Sequence, residues 1–459
     1  MQTDSALSPL RAEMGATLRL AAPLALANLL QMAVYAIDVI FVARLGEQAL
    51  AAASLATTVF GLMMWCLLGL TGACAPLIAA ELGRRRHALR EVRRSVRMAL
   101  WLAVGFGLIA MGLAVQGEAI LLLAGQDAQV SRLAGDFLAI LLWATVPNLM
   151  AGVLRTFVSA LGRPVFAMGI TALAIVVNAF GNWIFVFGNL GVPAMGMDGS
   201  AISSVITACA MLAAYALAIR ADRRLRRYHL FGRWWRGEWQ RLRDLLRIGT
   251  PIALIVMAEA GLFSSAAFLM GLIGQAELAG HTVALQVASL AFQIPFGIGQ
   301  AATIRVGYHY GAGQARAVGA AGQAALILAA GYMALPAALM ILAPRWVLSL
   351  YVDPADPANA LMVGHAVGFL AVAAAFQLFD GLQAVLAGAL RGLQDTRVPL
   401  VMALVGYWLC GFAVSVVLGF LTPLGGLGIW IGLAAGLVAV SILLGWRWHR
   451  RERLGLVPA

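Results

Sequence analysis

Long apolar segments alternate with short polar connections along almost the whole of this chain. No Asp, Glu, Lys or Arg lies between Arg397 and Arg447, a run of 49 residues. Another 28 uncharged residues separate Arg316 from Arg345. A helix needs about 20 apolar residues to cross the hydrocarbon core of a bilayer. The longer run therefore predicts two membrane-spanning helices joined by a turn at residues 422–426, and the shorter run predicts one.

The same pattern over the whole chain predicts twelve membrane-spanning segments. Helices are favoured because a helix satisfies its own backbone hydrogen bonds in lipid, where no water can do so. The predicted fold is an all-α integral membrane protein with twelve transmembrane helices in two pseudo-symmetric six-helix bundles around a central cavity. The predicted spans lie roughly at residues 18–43, 49–80, 95–117, 133–160, 164–189, 199–219, 248–273, 278–308, 317–344, 359–390, 398–421 and 424–446.

Composition and charge agree with a membrane protein. Hydrophobic residues make up 62% of the chain and charged residues 11%, whereas soluble proteins contain about 25% charged residues. All 32 basic residues are arginines, and most of them follow even-numbered spans, while the opposite connections contain only Arg44, Arg132 and Arg345. This asymmetry matches the positive-inside rule and predicts that both termini are cytoplasmic. It also accounts for the net charge of +12 without nucleic acid as a partner.

A basic segment at residues 220–247 contains ten of the arginines and divides the chain in half. Trp234, Trp235 and Trp239 lie among these arginines, which favours a helix on the inner membrane surface that binds anionic membrane lipid. The predicted domains are an N-terminal six-helix lobe at residues 1–219, this cytoplasmic linker at 220–247, and a C-terminal six-helix lobe at 248–459.

The two halves repeat at a constant offset of 228 residues, which places Pro23 on Pro251. Both prolines lie inside predicted spans, where each removes a backbone hydrogen bond and allows a bend. We interpret Pro23 and Pro251 either as hinges or as fixed kinks. Parallel six-span repeats that enclose a site at the membrane midplane are typical of transporters. Further pairs at this offset are Leu26 with Leu254, Gly46 with Gly274, Leu50 with Leu278, Gly69 with Gly297, and Gly83 with Gly311.

Three carboxylates, Asp38, Glu259 and Asp380, lie deep inside apolar spans. A charged side chain there costs about 2.5–3.5 kcal/mol on insertion scales. None of the three has an arginine three or four residues away on its own helix. Each could be a structural carboxylate satisfied by neighbouring hydroxyls. Together they favour a site that binds and releases cations.

Asn178 and Asn182 lie four residues apart on the fifth span and so share one helical face. With Asp38, and with Ser203 or Ser204 of the sixth span, they could complete a cage of oxygen atoms. Hard cations such as Na⁺ favour such oxygen ligands. Polar contact between helices is the alternative interpretation. The predicted Na⁺ ligands are Asp38, Asn178, Glu259 and Asp380.

Motifs for enzymatic chemistry are absent from the sequence. The six histidines form no H-E-x-x-H or comparable spacing, and no P-loop occurs. The four cysteines lie in apolar spans without metal or redox spacing. An intramembrane enzyme would need a nucleophile, a metal cage or a histidine acid–base pair. The sequence therefore predicts neither an enzyme nor a resident cofactor.

Four segments resemble the multidrug and toxic compound extrusion (MATE) transporters. They are PLALANLLQMAVYAIDVIFVARLGEQALAAASLA at the first span, VNAFGNWIFVFGNLG at the fifth, PIALIVMAEAGLFSSAAFLMGLIG at the seventh and FDGLQAVLAGALRGLQDTRVP at the tenth. Their order and spacing follow that family over nearly the whole chain. The presence of Glu259 and Asp380 together with Asp38 resembles the NorM-like branch rather than the DinF branch, where only the first-lobe Asp is typical.

The resemblance also implies roles for single residues. Ser203 stands where the family often has Thr, which keeps the hydroxyl. Phe376 stands where the family has Tyr four residues before the Asp of the tenth span, so a hydroxyl ligand of a second-lobe Na⁺ site is missing. The residues that match the family's sites are Asp38, Asn178 and Asn182 for the first-lobe cation and proton site, and Glu259 and Asp380 for the second-lobe site.

The function implied by the resemblance is export of small organic cations in exchange for Na⁺ or H⁺ by alternating access. The coupling ion would be the sole cofactor, and the protein would be a monomer in the bacterial inner membrane. The alternative is a lipid-linked oligosaccharide flippase of related two-lobe architecture. A flippase would line its cavity with arginine, whereas only Arg155 and Arg305 lie well within the predicted spans.

Overall fold

A computed structural model describes residues 3–85, 87–123, 125–232 and 236–457, without the side chains of residues 3–8 and 120. The prediction for Trp234 and Trp235 lies outside the described residues. Within them the chain is all-helical, and twelve helices are long and apolar enough to cross a membrane. The predicted all-α fold with twelve spans is therefore confirmed.

The spanning helices are named α1 to α12 in chain order. In the described part of the chain they are Pro9–Ala43, Glu47–Arg84, Ala88–Ala114, Ala128–Ala160, Pro164–Phe185, Gly196–Ala221, Trp239–Ile273, Gln275–Gly311, Ala315–Leu342, Pro357–Gly392, Arg397–Phe420 and Gly426–His449.

Local sequence explains several helix starts. Asp127 precedes α4, and its side chain accepts hydrogen bonds from the backbone N–H groups of Gln129 and Val130 at 2.9 and 3.1 Å. Pro164 occupies the first turn of α5, where its missing N–H has no helical partner to lose. Gly46 precedes α2 at a φ of 110°, a backbone conformation that favours glycine.

Four described spans depart from regular α-helix, and one of them, α10, does so at its start, with a 3₁₀ turn at Pro357–Asn359. A turn separates Thr71 from Cys74 within α2. A 3₁₀ turn occupies Leu142–Ala144 within α4. A π-helical segment, Val405–Phe412, widens the middle of α11. Such π segments are rare, and they often occur at functional sites.

The described contacts divide the chain into two compact units. Unit 1 comprises Met1–Ala25 and Leu254–Ala459, and unit 2 comprises Leu26–Ala253. The divisions fall inside α1 and α7, two residues after Pro23 and Pro251, so they differ by the same 228 residues as the sequence repeat. The predicted lobe boundaries at the connection between α6 and α7 stay a prediction.

The repeat is also visible in the packing of each unit. In unit 2, a Cβ atom on Gly69 of α2 would lie 3.2 Å from the Cα of Ala253 in α7. In unit 1, a Cβ atom on Gly297 of α8 would lie 2.8 Å from the Cα of Ala25 in α1. Both pairs of positions are related by the 228-residue offset. Glycine is required at these two positions because a side chain would push the helices apart.

Each unit also contains an ion pair at the equivalent place. In unit 1, Glu13 of α1 contacts His309 of α8 at 2.9 Å and Arg305 at 2.5 Å. In unit 2, Arg241 of α7 contacts Glu81 of α2 at 2.9 Å. The 228-residue offset places Glu13 on Arg241 and Glu81 on His309. The two units therefore use the same pair of positions with the charges exchanged.

Candidate functional site

Unit 2 contains the first of two carboxylate clusters, which is centred on Asp38 of α1. The side-chain nitrogens of Asn182 and Asn178 donate to Asp38 Oδ1 at 2.8 and 3.0 Å. The hydroxyl of Ser204 donates to Asp38 Oδ2 at 2.8 Å. Both asparagines are fully buried, whereas Asp38 is partly exposed. The structure thus brings together the three first-lobe residues that the sequence predicted as neighbours.

Close packing of α5 against α6 positions this cluster. A Cβ atom on Gly181 would lie 3.1 Å from the Cβ of Ser203, so the two helices are nearly in backbone contact there. Ser203 donates to the backbone carbonyl of Asn178 at 2.9 Å and accepts from Asn182 at 3.3 Å. Ser203 therefore supports the asparagines. Its neighbour Ser204 contacts the carboxylate, which distinguishes the two serines that the sequence left as alternatives.

The polar groups around Asp38 are arranged as donors. Both asparagine side chains direct their nitrogen atoms at Asp38, and Asn178 Oδ1 instead accepts from Asn182 at 3.3 Å. The arrangement differs from the oxygen cage that the sequence suggested. Donors of this kind stabilise a carboxylate charge, because hydrogen bonds to an ionised acceptor are stronger than neutral ones.

Unit 1 contains the second carboxylate cluster, which combines residues of α7, α10 and α11. Gln383 Nε2 donates to Glu259 Oε1 at 3.3 Å and to the hydroxyl oxygen of Tyr407 at 2.5 Å. Asp380 is 6% exposed, and its Oδ1 atom has no hydrogen-bond partner among the described residues. Glu259 lies close enough to Asp380 for the two carboxylates to repel each other.

Arg391 supplies positive charge to this cluster. It is also on α10, and it interacts electrostatically with Glu259 and with Tyr407. The sequence did not single out Gln383, Tyr407 or Arg391. Two signals could have identified them. Gln383 follows Asp380 by three residues and so shares its helical face. Tyr407 is polar within the 49-residue uncharged run.

Phe376 is buried and packs on Trp430, with ring centroids 5.9 Å apart. The phenol that the resemblance expected at this position is absent, but Tyr407 of α11 brings a phenol to the same cluster. Among the described residues, no three or more His, Cys, Asp and Glu side chains form a group that could hold a metal ion. The Na⁺ ligands stay a prediction, and so does the hinge role of Pro23 and Pro251, which lie within helical segments.

The chain has buried carboxylates inside twelve apolar helices, and its two compact units follow one sequence repeat. These features define a polytopic membrane transporter. The sequence pattern of the MatE family matches residues 23–184 and 251–417, two segments that begin 228 residues apart. The chain belongs to the MatE family, the multidrug and toxic compound extrusion transporters, as the resemblance predicted. It is a multi-pass protein of the bacterial inner membrane.

Relatives with similar sequences carry the name "Probable multidrug resistance protein NorM". The protein from Mesorhizobium japonicum is 46% identical over 97% of this chain and 95% of its own length. The protein from Brucella suis is 44% identical over 95% of this chain and 93% of its own length. These identities support the assignment of this chain to the NorM-like branch of the family.

Solved MATE transporters share the fold. A variant of the Vibrio cholerae transporter VcmN matches with a TM-score of 0.88 at 16% identity, over 97% of this chain and 98% of that one. The eukaryotic transporter AtDTX14 matches with a TM-score of 0.84 at 21% identity, over 98% of this chain and all of that one (100%). The two-lobe fold class is therefore confirmed.

Proposed function

We propose that this chain exports organic cations by antiport, with Na⁺ or H⁺ entering in exchange through alternating access. One observation supports this proposal above all. Each unit contains a carboxylate cluster that is partly or fully buried within membrane-spanning helices. Negative charge in such an environment is stabilised by a bound cation. An organic cation, an inorganic cation and a proton can each supply the required positive charge.

Competition between the organic cation and the inorganic cation or proton for the negative carboxylates explains why their movements are coupled. A site that one cation neutralises attracts a second cation less strongly, so each ligand lowers the affinity for the other, and the effect is reciprocal. Each ligand must also bind the two conformations of the transporter differently, because a ligand with equal affinity for both shifts nothing. The names of the NorM relatives describe multidrug resistance and so support drugs as the cargo, and the carboxylates favour cationic drugs.

The carboxylates favour this proposal over the flippase alternative. A pyrophosphate-linked cargo requires cationic side chains, whereas Asp38, Glu259 and Asp380 would repel it. Arg155 donates to Asn28 at 2.6 Å, and Arg305 is paired with Glu13. The two span arginines noted in the sequence are thus engaged in contacts within their own units.

The test uses the full chain in proteoliposomes with ethidium as a fluorescent organic cation. A Na⁺ gradient and a pH gradient are imposed separately, and ethidium movement is recorded for each. We expect efflux driven by at least one gradient, and loss of that efflux in Asp38→Asn. Asp353→Asn, in the connection between α9 and α10, is the matched control and should transport normally. Ethidium movement that neither gradient drives would contradict the proposal.

A further inference from the structure

Unit 1 contains buried polar side chains that the second carboxylate cluster does not use. His281 of α8 is 1% exposed, and Gln377 of α10 and Trp430 of α12 are 0% exposed. Among the described residues, neither ring nitrogen of His281, neither polar side-chain atom of Gln377 nor the indole nitrogen of Trp430 has a hydrogen-bond partner. Buried polar groups nearly always have partners, so several orphans in one unit need an explanation.

These side chains outline a route toward the carboxylates because they lie on α8, α10 and α12, and α10 packs against both of the other helices. The rings of His281 and Trp430 meet edge to face, with centroids 5.5 Å apart. Trp430 in turn stacks on Phe376, with centroids 5.9 Å apart. Gln377 follows Phe376 directly and precedes Asp380 by three residues, which places the amide and the carboxylate on one helical face. Asp380 Oδ1 is itself without a partner in the described chain.

The other end of the route reaches the beginnings of α8 and α10. Glu277 lies one turn before His281, and its carboxylate is 3.6 Å from the Nε2 atom of His365. The side chains of Glu277 and His365 are 22% and 34% exposed, so the protein does not enclose this pair. The positive-inside rule predicts that the helices begin here on the outer side of the membrane.

The chemistry of the orphaned groups favours protons over metal ions. An indole N–H is a donor only, an amide both donates and accepts, and a neutral imidazole has one donor and one acceptor nitrogen. A bare Na⁺ ion requires several oxygen ligands, whereas these orphaned groups include two oxygen atoms, Gln377 Oε1 and Asp380 Oδ1, among ring and amide nitrogens. Water molecules with two to four polar partners fit such a mixture, and imidazole can pass a proton between them.

We infer that His281 is a proton-relay residue that connects the Glu277–His365 pair to Asp380. The inference rests on the proposed function and specifies H⁺ as an ion that reaches the second cluster. Neutral His281 accepts a proton on one ring nitrogen and releases the proton of the other, so it ends neutral while Asp380 becomes protonated. The titratable groups of the route are Glu277 on α8 and His365 and Asp380 on α10, and α12 contributes Trp430.

The test compares His281→Ala and His281→Gln with wild type in proteoliposomes. The initial rate of ethidium efflux is measured under a pH gradient, and ethidium affinity is measured separately by fluorescence at fixed pH. We expect both variants to lower the rate about tenfold or more, as loss of a proton-transfer group does, with ethidium affinity unchanged. Added imidazole should restore the rate of His281→Ala. Pyrazole has the same shape but is not protonated near neutral pH, and it should not restore the rate.

His449→Ala, at the end of α12, is the matched histidine control and should keep the wild-type rate. A wild-type rate in either His281 variant would overturn the inference, as would equal rescue by imidazole and pyrazole, which indicates a packing role. Wild-type efflux driven by Na⁺ alone would overturn the relay and leave the proposed antiport standing. Efflux driven by neither gradient would overturn both.

Discussion

The two carboxylate clusters differ in how many hydrogen bonds support their charges. In unit 2, the described residues give Asp38 three donors, from Asn178, Asn182 and Ser204. In unit 1, Glu259 receives one hydrogen bond from Gln383, and Asp380 Oδ1 has no partner among the described residues. A buried carboxylate oxygen without a donor is costly, so Asp380 gains more from an arriving cation or proton than Asp38 does.

This difference suggests a division of labour within one repeated fold. The first cluster holds a carboxylate between three donors, while Asn182 Oδ1 beside it has no partner in the described chain. The second cluster holds two carboxylates beside Arg391, and Asp380 Oδ1 receives no donor from the described residues. The first cluster is therefore suited to selecting a ligand by geometry, and the second is suited to driving its uptake by charge.

The largest expected effect is loss of transport when either cluster loses its charge. Asp38→Asn and, separately, Asp380→Asn should abolish drug resistance in a sensitive bacterial host while the protein is still expressed. The minimum inhibitory concentration of ethidium measures resistance, and immunoblotting measures expression. Full resistance in both variants would show that neither carboxylate takes part.

The same two variants should differ in stability. Asp38→Asn places an amide where three donors converge, which should destabilise the protein by about 1–3 kcal/mol. Asp380→Asn removes a buried negative charge and its repulsion from Glu259, so its melting temperature should be equal to or above that of wild type. Thermal unfolding in detergent measures both. Equal destabilisation by the two substitutions would contradict the difference between the clusters.

A smaller loss is expected when the phenol of the second cluster is removed. Tyr407→Phe deletes a hydroxyl that Gln383 contacts at 2.5 Å and leaves the buried amide short of a partner. Loss of about 1.4 kcal/mol corresponds to a tenfold change, and we expect ethidium efflux to slow by about that factor. Tyr351→Phe, outside the spanning helices, is the control. An unaltered rate in Tyr407→Phe would exclude the phenol from the site.

The two adjacent serines of α6 provide a finer test. Ser204→Ala removes one donor to Asp38, which should weaken transport by about fivefold, the equivalent of about 1 kcal/mol. Ser203→Thr keeps the hydroxyl that supports the asparagines, and its rate should stay within about twofold of wild type. Initial rates of ethidium efflux distinguish them. The reverse order of effects would assign the contact with Asp38 to the other serine.

The smallest effect on transport is expected from the exchanged ion pairs. Glu13→Gln and Arg241→Gln should each lower the melting temperature by a few degrees, about 2–4 °C per kcal/mol lost. Transport should change by less than about twofold. Glu81→Gln should lower the melting temperature by less than Arg241→Gln, because Arg241 also contacts Glu91 at 2.6 Å. An unchanged melting temperature in Arg241→Gln would show that these contacts contribute little.

Much of the fold follows from local pattern. The apolar runs predict the twelve spans because length and hydropathy are properties of single segments. The first cluster was also predictable, since Asn178 and Asn182 are spaced by one helical turn and Asp38 is the sole carboxylate within the first predicted span.

The remaining features depend on how helices are rotated and paired. Adjacent residues on a helix point about 100° apart, so the sequence could not decide between Ser203 and Ser204. Tyr407 of α11 meets Gln383 of α10 in a tertiary contact without a local signal. The division of α1 after Ala25 is likewise a property of contacts between segments far apart in the chain.

The exchanged charges have a consequence for how such a chain could be divided or assembled. Two copies of the first half would place Glu13 opposite Glu81, and two copies of the second half would place Arg241 opposite His309. A first half with a second half gives one carboxylate and one nitrogen side chain at both places. The two halves are therefore complementary at these positions. If the halves are made as separate polypeptides, this complementarity disfavours pairing of identical halves and favours pairing of a first half with a second half.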